Sequence, residues 1–157
     1  MTERSVNHAT FVIRRSFAAT PARVFHAFAD AATKRRWFVE GEGWTIEAFT
    51  SLFEVGGREH SRFRFGNDPA ISNDTIYLEI VPNERIVFSY TMTVDERPIS
   101  VSLGTLEFVA EGEGTCLTYT EQAAFLNRLD EPREREIGFR ELLQALAPLV
   151  ERPPVDA

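Results

Sequence analysis

The stretch Phe17-Ala18-Ala19-Thr20-Pro21-Ala22-Arg23-Val24-Phe25-His26-Ala27-Phe28 changes its periodicity at Thr20. Before that point Phe11, Ile13 and Phe17 fall on alternate positions of His8–Phe17, the pattern of a strand with one buried face. After it Val24, Phe25 and Phe28 form the apolar stripe of a short helix. Thr20 can cap that helix, and Pro21 takes its first position, where a missing N–H costs nothing. Asp30 can cap a second short helix carrying Ala31, Ala32, Trp37 and Phe38. Two short helices directly after a first strand are the first topological clue.

From Trp44 onward the pattern alternates. Strands are expected over Thr45–Val55, Arg58–Phe65, Asn73–Val81, Arg85–Val94, Ile99–Ala110 and Thr115–Ala124, punctuated by glycine-, proline- and asparagine-rich turns. Links this short forbid parallel crossovers, so the sheet is an antiparallel meander. In Arg58–Phe65, Phe63 and Phe65 share one face while Arg58, His60, Arg62 and Arg64 share the other, which predicts one packed and one wet side. Along Ile99–Ala110 the apolar parity slips from Ile99, Val101 and Leu103 to Leu106 and Phe108, and Gly104 at the slip reads as a bulge.

A last helix is expected over Glu131–Val150, capped by Asp130, with Pro132 in its first turn. Ile137, Phe139, Leu142, Leu143, Leu146 and Leu149 give its apolar stripe, and Arg135, Arg140, Glu141 and Gln144 its wet face. Gly138 in mid-helix suggests close approach by a neighbour, and Pro148 a kink or an end. The expected fold is α+β: a curved seven-stranded antiparallel sheet wrapped around a long C-terminal helix, with two short helices after the first strand. Such a sheet is too curved for one helix to fill, so a gap is expected between them, bounded by the short helices.

At 157 residues the chain fits one domain, expected over residues 8–151 with flexible tails at 1–7 and 152–157. A net charge of −7 argues against a general phosphate-binding surface, so no nucleic acid is expected as partner. The basic run Lys34-Arg35-Arg36 reads as a solvated helix end. A single cysteine, Cys116, precludes an internal disulfide and fits a reducing compartment. No apolar run approaches the ~18 residues of a membrane span, and Met1-Thr2-Glu3-Arg4-Ser5 lacks a signal-peptide core. A cytoplasmic protein without membrane partners is the expectation. A homodimer, through an edge strand or the short helices, is compatible with the pattern.

The strand–helix stretch with Trp37, together with Phe53-Glu54-Val55-Gly56-Gly57-Arg58-Glu59 and Glu79-Ile80-Val81-Pro82-Asn83-Glu84-Arg85-Ile86-Val87-Phe88, resembles the START-like superfamily, also called SRPBCC. Further matches are Gly114-Thr115-Cys116-Leu117-Thr118-Tyr119-Thr120-Glu121-Gln122 and the Gly138-Phe139 step. Within the superfamily the chain resembles the family named after the activator of heat-shock-protein-90 ATPase, from about residue 9 to 150. The resemblance implies a helix-grip fold with an internal cavity for lipids, aromatics or polyketide-like molecules. Its members include carriers, receptors, cyclases and co-chaperone domains, so the fold does not decide the function. Relatives often carry tryptophan after the helix glycine; Phe139 here leaves more room.

Glu121 shares strand parity with Leu117, Tyr119 and Ala123, the face taken as inward. An inward carboxylate must be paired or protonated. Glu121 therefore reads either as an anchor or acid/base for a ligand, or as the partner of an arginine or backbone donors. Glu59 shares parity with Phe63 and either joins Glu121 as an inward carboxyl or is solvated beside the Gly56-Gly57 turn. Tyr90 and Tyr119 either present hydroxyls to a ligand or sit in the core with a local hydrogen bond. Trp37, Phe38, Phe63, Phe88, Phe108 and Phe139 are the candidate aromatic lining. His8, His26 and His60 do not have the spacing of metal ligands, and neither metal nor cofactor is expected. The resulting reading is a binding module for a small hydrophobic or aromatic molecule. A cyclase- or hydratase-type enzyme using Glu121 and a protein-interaction domain are the alternatives.

Overall fold

A computed structural model describes residues 5–151. The expected tails lie outside them, apart from residues 5–7. Strand β1 spans Val6–Phe17, helices α1 and α2 span Pro21–Ala29 and Ala31–Phe38, and six further strands follow. These are β2 (Trp44–Ser51), β3 (Arg58–Phe65), β4 (Ile71–Val81), β5 (Arg85–Val94), β6 (Arg97–Glu111) and β7 (Gly114–Leu126). Helix α3, Pro132–Glu151, is the last element of the described residues. The strands form one antiparallel sheet in the order β1-β7-β6-β5-β4-β3-β2. The chain has the α+β helix-grip architecture, with α3 lying across the hollow face of the curved sheet.

Local signals set the first helices. The Thr20 side chain accepts a hydrogen bond from the Arg23 N–H, and the Asp30 side chain accepts from the Thr33 N–H. The buried residues Val24, Phe25, Ala27 and Phe28 of α1 pack into the main core, where Phe108 meets both Phe25 and Phe28 edge-on. Leu143, Leu146, Ala147 and Val150 of α3 join the same core. The Glu151 carboxylate accepts from the Ala18 N–H at 2.8 Å and ties down the helix terminus.

Several local expectations are corrected. Helix α3 runs through Pro148 to Glu151. Its first backbone bond runs from the Arg135 N–H to the Glu131 carbonyl, so Glu131, not Asp130, occupies the cap. Ile137 is exposed, and Arg135, expected on the wet face, is buried. Lys34, expected at a solvated helix end, is buried too. The neighbourhood of Gly138 is open, with nothing within 4 Å of a side chain added there.

The parity slip in β6 was a misreading of large side chains. Val101 and Leu103 point outward and are exposed, whereas Ser100, Ser102, Gly104, Leu106 and Phe108 continue one buried face. The pairing passes through Gly104 without a break, and the irregularity falls at Ile99, between the pairs Thr93–Pro98 and Met92–Ser100. Further irregularities interrupt β2 between Ile46 and Ala48 and β4 between Tyr77 and Glu79. Extra residues at such points bend a sheet and sharpen its twist. Gly104 has another purpose. A Cβ there would lie 2.5 Å from the Phe88 ring, so glycine makes room for that ring to lie across the strand.

Gly104→Ala should therefore destabilise the protein by about 1–3 kcal/mol, since overpacking forces a bulky neighbour off its place. Urea denaturation measures this, and an unchanged midpoint would mean that the Phe88 ring moves aside freely.

Candidate ligand-binding cavity

A cavity of about 390 Å³ lies between α3 and the sheet, closed on one side by α2. Its size is within the usual range for small-molecule sites, ~300–1,000 Å³. Trp37 and Phe38 of α2 and Phe63 of β3 form one wall. Phe88 and Tyr90 of β5, Tyr119 of β7 and Phe139 of α3 form the other. Tyr119 and Phe139 stack with centroids 3.8 Å apart, and Phe88 lies nearly parallel to Tyr119. The Trp37 indole donates to the Ala27 carbonyl at 2.9 Å, so its polar edge is satisfied and its ring is free to be wall. Gly138 and Leu142 provide the roof where α3 crosses the cavity. Trp44 stands near the entrance, beside Phe63 and Phe65.

Two candidate residues lie behind the wall. Phe108 is packed beneath α1, and Glu121 is 0% exposed and does not reach the cavity surface. The Glu121 carboxylate accepts from Tyr119 Oη (2.7 Å), Ser102 Oγ (2.8 Å), Tyr90 Oη (2.9 Å) and Arg135 Nη1 (3.2 Å). Both terminal nitrogens of Arg135 are engaged. Nη1 also donates to Tyr90 Oη at 2.8 Å, while Nη2 donates to Ser100 Oγ at 2.8 Å, Asp130 Oδ2 at 2.7 Å and Met92 Sδ at 3.2 Å. One guanidinium thus joins β5, β6, β7 and the segment leading into α3. Of the two readings of Glu121, the arginine-paired one describes the molecule. Both carboxylate oxygens of Glu121 are engaged, and it is not among the residues that line the cavity.

A second buried cluster stands at the other side. Lys34 Nζ donates to Glu59 Oε2 at 2.7 Å and to Tyr77 Oη at 3.3 Å, and Tyr77 and Ser51 both donate to Glu59 Oε1. Glu59 is therefore buried and paired, and Lys34 and Tyr77 line the cavity. Between the clusters a polar belt crosses the inner face. Glu59, Thr75, Tyr90 and Ser102 pair in succession across β3 to β6, and beside them runs the row Ser61, Asn73, Met92, Ser100. Continuing the Leu106–Phe108 parity backward would have exposed Ser100 and Ser102 as inward. No comparable signal marks Arg135 or Lys34, which sit among other charged residues in sequence.

Burial, followed by the charge of Glu121, pushes the Tyr90 phenol well up; burial, then Tyr90 and Glu121, does the same to Tyr119. Burial also raises Tyr77, where Lys34 opposes and Glu59 reinforces the shift. Burial pulls the Lys34 ammonium down, but Glu59 and Tyr77 outweigh it and the net shift is upward. All four groups hold their protons near neutrality and act as hydrogen-bond donors. None is poised as a base.

Residues 18–151 match the family model for the activator of Hsp90 ATPase homolog 1-like protein, and the chain belongs to that family. No curated protein matches it. A crystal structure from Rhizobium loti shares 50% identity over 92% of this chain and 99% of that one, with a TM-score of 0.86. An uncharacterized protein from Rhizobium leguminosarum is 37% identical over 97% of this chain and 100% of its own, with a TM-score of 0.91. CalU16 from Micromonospora echinospora, at 20% identity, a TM-score of 0.63 and coverage of 94% and 85%, shares the fold.

Arg135→Met should cost about 3–5 kcal/mol by leaving buried carboxyl groups without their cation. Adding Glu121→Gln should recover part of that loss; denaturation of the two variants measures both, and equal stabilities would contradict the pairing. The pH profile offers a second check. The folded state keeps the protons of Tyr77, Tyr90, Tyr119 and Lys34 when the unfolded chain, whose phenols and lysines titrate near ~10, has begun to lose them. The unfolded chain then binds fewer protons, and stability falls as pH rises. Urea midpoints should decline from about pH 10 upward with this component intact below. A flat profile to pH 11.5 would contradict it.

Proposed function

We propose that this member of the family binds a small hydrophobic, aromatic molecule in the cavity beneath α3. One observation carries the reading: a helix fastened at both ends spans a hollow walled by aromatic rings from α2, β3, β5, β7 and α3. Pockets of this kind are mostly apolar with a few placed polar groups, and Lys34, Asn73, Tyr77, Tyr90 and Arg135 are among the polar residues that line this one. Well-packed interiors leave few voids larger than a water molecule. A hollow this large forfeits dispersion contacts that a bound molecule would restore.

Gly138 supports the same reading. In a helix interior, glycine costs up to ~1 kcal/mol against alanine, yet no neighbour demands it here. Its effect is to leave open space beneath the helix where Gly138 lines the cavity. An enzymatic role for Glu121 is not favoured, because its carboxyl group serves the Arg135 cluster.

The test pairs a ligand screen with a variant that fills the cavity. Fused-ring aromatics that bind only the native state should raise its stability, by about 2.7 kcal/mol at a hundred times the dissociation constant. Gly138→Leu should fold, since leucine favours helix, and should abolish the ligand-induced shift in thermal midpoint. A shift that persists undiminished in the variant would place binding elsewhere.

A further inference from the structure

Lys34 reaches from α2 toward the sheet, 8% exposed, and lines the cavity. Although burial opposes its charge, Glu59 and Tyr77 outweigh that effect and the side chain stays protonated. An ammonium carries three N–H donors and no acceptor. Among the described residues it meets two acceptors, Glu59 Oε2 at 2.7 Å and Tyr77 Oη at 3.3 Å. Two rings flank Nζ as well. Its distance to the ring centre is 4.6 Å for Phe38 and 5.8 Å for Tyr77, and both residues line the cavity. A ring face attracts the charge, but it is a weaker acceptor than an oxygen lone pair. One donor of a buried cation is thus left without an oxygen or nitrogen partner, between two walls of the hollow. Buried polar groups in native folds rarely stay so.

We propose that Lys34 is the polar subsite of the cavity, donating its third N–H to a carbonyl oxygen of an uncharged aromatic ligand. This rests on the binding reading above and narrows it to a class, aromatic ketones and related carbonyl compounds. The corner has a donor to spare and its acceptors are taken. Glu59 Oε1 accepts from both Tyr77 and Ser51, and Tyr77 has given its own hydrogen to Glu59. Glu59 is 3% exposed and is not among the residues that line the cavity. A carbonyl accepts without donating, so it completes Lys34 and leaves no hydrogen of its own unsatisfied.

Charge narrows the class further. Lys34 is already neutralised by Glu59, so an incoming carboxylate would set two anions against one cation. Glu40, Glu134 and Glu141 also line the cavity and add to the repulsion. A ligand ammonium would face Lys34 with like charge and nothing to accept its hydrogens there.

The experiment is calorimetric titration with 2-acetylnaphthalene, its shape-matched hydrocarbon 2-isopropenylnaphthalene, 2-naphthoate and 2-naphthylmethylammonium. It uses the wild type and Lys34→Met/Glu59→Gln, in which the second substitution avoids a buried carboxylate without its cation. In the wild type the ketone should bind about tenfold more tightly than the hydrocarbon, the equivalent of about 1.4 kcal/mol, and more tightly than either ion. The double variant should bring the ketone to the level of the hydrocarbon, whose own affinity stays the same or improves. Thermal unfolding confirms that the variant folds, and Lys34→Met/Glu59→Leu replaces it if it does not. Equal binding of ketone and hydrocarbon, a ketone preference that survives the substitutions, or a preference for either ion overturns the subsite while leaving aromatic binding in place. Failure of all four probes to bind overturns the binding reading and this inference together.

Discussion

The buried pair between Arg135 and Glu121 is the constraint on which the rest of the molecule depends. Arg135 arrives on the first turns of α3 and is received by acceptors from three neighbouring strands and by Asp130. It therefore fixes how far the N-terminal end of the helix stands from the sheet. The other end is fixed by apolar packing of Leu143, Leu146 and Val150 and by the bond from Ala18 to Glu151. Between the anchors α3 spans the sheet, and Gly138, Phe139, Leu142 and Ala145 line the hollow. Collapse of the helix onto the sheet would break the anchor at one end or the packing at the other.

Polar groups buried in this way seldom add stability over a well-packed apolar core, because desolvating the ions costs about as much as their attraction returns. Their effect is geometric. A guanidinium held through both terminal nitrogens has one position, and so does an ammonium held between Glu59 and Tyr77. The two clusters stand on opposite sides of the cavity, joined by the polar belt across the strands. The aromatic walls supply the apolar surface of the cavity, while the belt supplies polar groups on the inner face of the sheet.

Much of the architecture was legible in the sequence, and the reasons are local. Thr20-Pro21 and Asp30 begin their helices by caps that act within three residues, and short turns force an antiparallel meander. What failed was reading direction from side-chain size. Val101 and Leu103 are large and apolar yet lie on the outer face, while the small polar Ser100 and Ser102 face inward, and Gly104 yields its space to Phe88. Arg135 and Lys34 were misread because nothing in their neighbourhoods distinguishes a buried cation from a solvated one. Their partners lie on distant strands: Glu59 is 25 residues from Lys34, and Ser100 is 35 from Arg135. Glu121 was legible as a buried carboxyl needing a partner, but only the tertiary structure identifies that partner.

The account's central claim is that a fastened helix keeps an aromatic-walled cavity open to receive an aromatic molecule without rearrangement. The crystal structure of the protein grown with 2-naphthol tests it most directly. The account predicts ring density between Phe88, Phe139 and Trp37, with Arg135 still bound to Glu121 and α3 unmoved. Naphthol density found only on the outer face of the sheet, or a helix displaced from its anchors to admit the ring, would contradict it.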